Sequence, residues 1–430
     1  MATTGKVDIR EQAARAKTAS IALSQASSTE KNAVLESIAT ALENHHDEIL
    51  HANAQDVTEA SAAGLEPFFI ERLSLTSSQI ASIARDTRNV AALPDPVGET
   101  FDERTLPNHL RISRRRVPLG LIACIYESRP NVTVDVATLC LKSGNASLLR
   151  GGKEALRSNR AFGDAIHAGI VSAKTSISPA VVQFVTDPDR SHVNQILKMH
   201  DLIDLVVPRG GADLIAHVRD MATMAVVAGG IGVVHVFVDK TADLEMALRI
   251  VDNSKTRRYS ICNALDTVLI HDAIAEDFCK LLSDCWRGRV SVLAAEDAYR
   301  IFRTIETNNE LNVKKAVSED WDTEHLAMRA GVRIVSDLDN ALDHIAKHGS
   351  GHSESIVTSS ELSAERFLNE VDAAAVYVNA STQFTDGGQF GLGAELGIST
   401  QKMHARGPVG LRELTSYKWV VYGDGQVRPK

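Results

Sequence analysis

Cys262 lies in the stretch Arg257-Arg258-Tyr259-Ser260-Ile261-Cys262-Asn263-Ala264, beside two guanidinium groups rather than inside an apolar run. Nearby positive charge favours thiolate over thiol, and the thiolate is the nucleophilic form. The setting suits a reactive thiol, although a lone cysteine is more often a small core side chain. The other four cysteines fit the inert case. Cys124 sits in the aliphatic run 119–125, Cys140 follows Leu139, and Cys279 and Cys285 fall in a helical-looking stretch at 278–286. No two cysteines have the Cys-x-x-Cys spacing of a zinc or redox site, and five without regular spacing argue against a disulfide framework and for a reducing compartment.

Asn131, in Ser128-Arg129-Pro130-Asn131-Val132-Thr133, leaves an apolar run and precedes a helical stretch. It reads either as an ordinary helix cap or as a side-chain amide facing an active site. Two further segments, Leu148-Leu149-Arg150-Gly151-Gly152-Lys153-Glu154 and Val206-Val207-Pro208-Arg209-Gly210-Gly211-Ala212, place glycines and a cation after a strand. Exposed backbone N–H groups and a helix dipole attract anions at such turns. Neither is a Walker loop or a Gly-x-Gly-x-x-Gly fingerprint. Each alone also fits the start of an ordinary helix, but two in adjacent units suggest a nucleotide across a sheet edge.

The histidines say less. His45, His46 and His51 have no carboxylate at metal-site spacing, so no metal is expected, and His352 precedes a strand where a turn and a ligand contact are equally open. A net charge of -9 offers no general attraction for nucleic acid. The basic knot Arg111, Arg114, Arg115 and Arg116 therefore reads as a solvated or intersubunit strand face rather than a phosphate or RNA contact.

The elements that must carry these residues follow from patterning. The first hundred residues read as helices, with capping boxes at Ser27-Ser28-Thr29-Glu30 and Thr76-Ser77-Ser78-Gln79, and Asp95 between two prolines closes the region. Short aliphatic runs then alternate with helical stretches, at 119–126, 146–149, 181–185, 202–207 and 224–227, and again at 234–238, 267–270, 332–335, 355–358 and 374–378. That alternation predicts parallel sheets with crossover helices. Gly229-Gly230-Ile231-Gly232 is the expected hinge between two α/β domains. No apolar run reaches the roughly 18 residues of a membrane span, and the first twenty residues lack the apolar core of a secretory signal. A cytoplasmic protein without membrane contact is the expectation.

Several blocks together, 114–120, 126–133, 149–154, 259–264, 349–354, and 388–395 running on to 404–408, resemble the aldehyde dehydrogenase superfamily and within it the gamma-glutamyl phosphate reductases (glutamate-5-semialdehyde dehydrogenases) over nearly the whole chain. The resemblance implies an α/β fold of two Rossmann-like parallel-sheet domains plus a small oligomerisation arm. Residues 1–111 and 126–230 would form the cofactor-binding domain, 231–385 the catalytic domain, and 112–125 with 386–430 the arm and C-terminal segment. By the same resemblance Cys262 is the nucleophile and Asn131 the oxyanion-hole side chain. Arg150, Gly151, Gly152, Lys153, Arg209, Gly210 and Gly211 would bind NADP, and Glu324 its nicotinamide ribose. Arg129, Arg258, His352 and Arg406 are candidate anion contacts for the substrate.

Hydrolytic relatives carry Glu-Leu-Gly-Gly, whose glutamate activates water. Here the stretch reads Ala228-Gly229-Gly230-Ile231-Gly232, so a thioester would outlast hydrolysis. The implied reaction is NADPH-dependent reduction of L-glutamyl 5-phosphate to glutamate 5-semialdehyde in proline biosynthesis, in a homodimer or larger assembly, with glutamate 5-kinase supplying the substrate. The alternatives are a hydrolytic or CoA-acylating aldehyde dehydrogenase, or a non-catalytic nucleotide-binding protein.

Overall fold

The computed structural model describes residues 8–305 and 311–428. The expected amino-terminal helix runs Ile9–Leu23, capped by the Asp8 carboxylate, while residues 1–7 lie outside the described residues. Both expected capping boxes form. Ser27 and Glu30 close the start of Ser28–Asn44, and Thr76 and Gln79 close the start of Ser77–Ala92. Asp95, where the helical region ends, pairs with the buried Lys31 at 2.5 Å.

The described residues divide into two compact units, one of residues 8–228, 391–397 and 409–428, the other of residues 229–305, 311–390 and 398–408. In the first, the amino-terminal helices accompany a five-stranded parallel sheet ordered Val182–Phe184, Ala146–Gly151, Leu121–Tyr126, Leu205–Arg209, Ala225–Val226. Leu121–Tyr126 is buried along its whole length, as a parallel strand covered on both faces must be. The order reverses between Leu121–Tyr126 and Leu205–Arg209, since the chain builds outward first on one side of the central strand and then on the other. Ligands of open α/β sheets bind beyond the carboxyl ends of the strands at such a reversal.

The same unit carries a three-stranded antiparallel sheet of Thr100–Thr105, Arg111–Pro118 and Thr415–Tyr422. The basic knot belongs to its middle strand. Arg114 lies over the rings of Tyr417 and Trp419 at 4.8 and 4.7 Å and pairs with Asp102, and Arg116 pairs with Glu99. The expected arm segment 112–125 is therefore split by the structure. Pro118 ends the antiparallel strand, and residues from Leu121 onward form the central strand of the parallel sheet because all six of their side chains are buried. The expected carboxyl-terminal segment also divides, since residues 386–390 and 398–408 go with the second unit.

The second unit is built on a seven-stranded parallel sheet ordered Val313–Lys315, Ser291–Ala294, Arg329–Val335, Thr267–His271, His235–Val238, Ser353–Val357, Ala375–Val378. One face packs Val251, Phe278, Leu282, Trp286 and Phe302 against the sheet, and the other packs Phe237, Leu269, Ile345 and Phe367. The strands Ser291–Ala294 and Val313–Lys315 are additions to the elements expected from sequence.

Candidate active site

The first unit gathers its candidates at the carboxyl edge of its sheet. Arg129 and Asn131 follow Leu121–Tyr126, Arg150 to Lys153 end or follow Ala146–Gly151, and Arg209 to Gly211 end or follow Leu205–Arg209. Asn131 stands at the N-cap of Val132–Lys142 but makes no capping bond. Its Nδ2 instead donates to Oδ2 of Asp135 at 2.9 Å, so the ordinary-cap reading does not hold. Ser128, just before it, has φ 47, a left-handed backbone fixed by Glu154, whose Oε1 accepts from the Ser128 amide at 2.7 Å and its hydroxyl at 3.0 Å.

The glycine turns are more crowded than their sequences suggest. A Cβ at Gly152 would lie 2.0 Å from a Glu154 carboxylate oxygen, and one at Gly151 the same distance from the Asn159 amide, whereas Gly211 has nothing within 4 Å. The Gly211 N–H, at the start of Ala212–Met221, donates to Glu127 at 3.1 Å. Arg150 is only 7% exposed, and its guanidinium donates to the Pro188 carbonyl at 3.1 Å, with burial holding its pKa below the usual arginine value. Lys153 is exposed. Of the two cations expected to bind NADP, Lys153 is exposed, whereas Arg150 is buried and bonded to Pro188 in the loop that follows Val182–Phe184.

The second unit gathers its candidates at the opposite, amino edge of its sheet. Cys262 is half-buried in the loop between Leu244–Thr256 and Thr267–His271. The remaining cysteines behave as inert thiols, with burial pushing Cys124 and Cys279 up to about 12 and Cys140 and Cys285 upward as well. The glycine segment runs against this loop. A Cβ at Gly232 would fall 1.7 Å from the Cys262 carbonyl oxygen, and one at Gly229 would fall 2.5 Å from that of Ile398. The Gly232 N–H donates to Glu324 at 3.1 Å, tying the expected ribose ligand to the segment that borders Cys262.

The Cys262 loop is also clamped by residues 381–385. Asn263 donates to the Thr385 carbonyl at 3.0 Å, Thr382 donates to the Asn263 carbonyl at 2.8 Å, and the buried Gln383 donates to the Ser254 and Arg258 carbonyls while accepting from Arg257. Both arginine side chains are exposed. Two anion-contact expectations change. His352 is 1% exposed, bonded to Ser353, and pushed down to about 4 by burial, so it is neutral near pH 7. Arg406 is paired with Asp372 at 2.7 Å. Among the described residues no group of three or more histidine, cysteine, aspartate or glutamate side chains converges as a metal site, and no helix is long and apolar enough to cross a membrane.

The sequence profile of the aldehyde dehydrogenase family matches residues 1–309. A gamma-glutamyl phosphate reductase of Dehalococcoides mccartyi is 53% identical over 98% of this chain and 99% of its own, and one of Salmonella schwarzengrund is 49% identical over 96% and 98%. The chain belongs to the gamma-glutamyl phosphate reductases of the aldehyde dehydrogenase family. The crystal structure of the Thermotoga maritima member superposes with a TM-score of 0.94 at 44% identity, covering 98% of this chain and all of the other. An acetylating aldehyde dehydrogenase of Geobacillus thermoglucosidasius, 19% identical with a TM-score of 0.70 over 98% of each chain, shares the fold. Family membership makes the chain an oxidoreductase that uses a nicotinamide cofactor.

The reading from sequence missed Asp135, Glu127, Glu154 and Gln383. Asp135 had a local signal, four residues after an asparagine at a helix start. The other three act through partners that only the fold brings near.

Proposed function

We propose that this chain reduces L-glutamyl 5-phosphate to glutamate 5-semialdehyde and phosphate, with Cys262 as nucleophile and NADPH as reductant. The observation that carries the reading is the 53% identity to a gamma-glutamyl phosphate reductase over 98% of the chain, joined to a half-buried Cys262 whose loop is anchored at Asn263 and bordered closely by Gly232. The Cys262 sulfur attacks the γ-carbonyl carbon, the C–O bond to phosphate breaks, and a thioester forms. The carbonyl oxygen carries negative charge as the carbon becomes tetrahedral. The Asn131 amide and the Cys262 backbone N–H are the proposed donors to it, and one such donor contributes about 3 to 4 kcal/mol.

NADPH, when bound, supplies the hydride that reduces the acyl group. The features that fit it are the reversal of strand order in the first unit, the exposed Lys153 and the turn at Arg209, Gly210 and Gly211, while Glu127 must yield the Gly211 N–H to a pyrophosphate. Glu324 is the proposed ribose ligand. Arg258, exposed beside the nucleophile, and Arg129 remain the proposed contacts for substrate anions. No carboxylate stands at Ala228 to activate water, which leaves phosphate as the partner of the acyl group in the reverse direction. We further propose a cytoplasmic homodimer or larger assembly, with glutamate 5-kinase supplying the acyl phosphate.

The test supplies glutamate 5-semialdehyde and NADP and follows NADPH with phosphate, with CoA, or with neither. Phosphate-dependent turnover supports the reading. CoA-dependent turnover, equal turnover with neither, or no turnover assigns the chain respectively to acylating dehydrogenases, to hydrolytic ones, or to nucleotide binders.

A further inference from the structure

Asp135 lies on Val132–Lys142, one helical turn beyond Asn131, and its Oδ2 accepts a hydrogen bond from Nδ2 of Asn131 at 2.9 Å. A side-chain amide has a donor end and an acceptor end of nearly the same shape, and rotation of the group exchanges them. Only the donor end can stabilise a developing oxyanion. An ionised carboxylate accepts and cannot donate, so a neighbouring carboxylate selects the amide orientation that faces it with nitrogen. The second Nδ2 hydrogen of Asn131 has no partner among the described residues.

We propose that Asp135 is a positioning residue for the reaction, fixing the Asn131 amide so that its nitrogen rather than its oxygen is offered to the carbonyl oxygen of the substrate. The inference rests on the assignment of Asn131 as the oxyanion donor. The charged groups around Asp135 are Arg209 at the end of Leu205–Arg209 and Arg129 in the preceding loop, which favour the carboxylate, and Asp86 on Ser77–Ala92, which opposes it. Burial is the larger influence and pushes the carboxyl up to about 6, with the Asn131 bond working against that rise. The selecting form is therefore dominant at pH 7.5 and lost on acidification. Once protonated, Asp135 can donate to the amide oxygen, and the flipped amide becomes equally acceptable.

The experiment measures single-turnover phosphate release from L-glutamyl 5-phosphate without NADPH, between about pH 5 and 8.5, for the wild type, Asp135→Asn and Asn131→Ala. Melting temperatures are recorded alongside. A carboxamide at 135 has nearly the same shape but can present either a donor or an acceptor, so it removes the selection. Asp135→Asn should release phosphate about 10- to 100-fold more slowly at pH 7.5, from the loss of a charge-assisted bond, with an unchanged half-saturating substrate concentration. The wild-type rate should fall as pH drops through about 6, and that limb should be absent from Asp135→Asn. Asn131→Ala should lose about 10²- to 10³-fold.

If Asn131→Ala slows release while Asp135→Asn keeps the wild-type rate and pH profile, the positioning role is overturned and the Asn131 assignment stands. If Asn131→Ala is itself unaffected, that assignment falls and the inference with it. Should Asp135→Asn fail to fold, the wild-type profile decides, because a rate unchanged through pH 6 overturns the proposal.

Discussion

Gly232→Ala is a one-carbon change whose consequence can be worked from the structure. The new Cβ would stand 1.7 Å from the Cys262 carbonyl oxygen, 2.6 Å from its carbonyl carbon and 3.0 Å from its Cα. Real contacts of this kind lie at 3.0 to 3.4 Å or beyond, so the two backbones must separate by roughly 1.3 to 1.7 Å (3.0 − 1.7 and 3.4 − 1.7). The obstacle is main chain and cannot rotate away. Thr382, Gln383 and Thr385 anchor the loop at Asn263 and Arg258, so the displacement falls on Cys262 or on the Gly232 segment with its bond to Glu324. A misplacement of about 1 Å at a reacting group can lower the rate by about 10²-fold, and overpacking lowers stability by about 1 to 3 kcal/mol.

Gly230→Ala is the internal comparison, because its Cβ would meet only the Thr400 side chain, its hydroxyl at 3.1 Å and its methyl at 3.8 Å. The assay is kcat for phosphate-dependent semialdehyde oxidation, with the alkylation rate of Cys262 and the melting temperature measured on the same samples. Gly232→Ala should lose about 100-fold in kcat, and Gly230→Ala less than about threefold. Equal kcat values for the two variants would refute a role of the glycine segment in setting the position of Cys262.

Lys153→Ala should narrow the preference for NADPH over NADH, by the factor of about 10 to 100 that a charge-assisted phosphate contact supplies, whereas Arg150→Ala should chiefly lower the melting temperature. An unchanged cofactor ratio in Lys153→Ala would remove that residue from the 2′-phosphate. Ala228→Glu offers a base to water, so glutamate formation from semialdehyde and NADP without phosphate should rise, with general-base effects of about 10²- to 10⁴-fold where geometry permits, and no rise would place residue 228 away from the acyl group.

His352 and His344 are 1% and 5% exposed, and burial pushes the first down to about 4 and the second well below its ordinary range. Both imidazoles take up protons near pH 6.5 once unfolded, so the stability they support is present above that pH and lost as pH falls. Between pH 6.5 and 4, His352→Gln should flatten the decline by about 1.4 kcal/mol per pH unit, and a slope unchanged in denaturant titrations would contradict the buried neutral state.

What the sequence displays depends on how local the cause is. Capping boxes need four consecutive residues, so Ser27 with Glu30 and Thr76 with Gln79 are legible before any fold is known. The buried strand Leu121–Tyr126 announces itself as an unbroken apolar run, and Cys262 by the arginines beside it. The edge strand Val313–Lys315 carries two lysines, and Ser291–Ala294 follows a helix too closely to stand apart, so neither displays a strand pattern. The Asn263 partners lie about 120 residues on in sequence, at Gln383 and Thr385, and nothing local marks them. His352 reads as a loop residue because glycine and serine surround it, yet strand pairing draws it into the interior.

The proposed chemistry requires a thioester at Cys262 that water does not discharge. The direct measurement mixes the protein with excess glutamate 5-semialdehyde and NADP in phosphate-free buffer, follows NADPH from the first milliseconds, and maps the acylated peptide by mass spectrometry. The expected result is a burst of about one NADPH per active site followed by near arrest, a glutamyl adduct on the peptide containing Cys262, discharge on adding phosphate, and neither burst nor adduct in Cys262→Ser. Continuous NADPH formation without phosphate, or an adduct on any other residue, would contradict it.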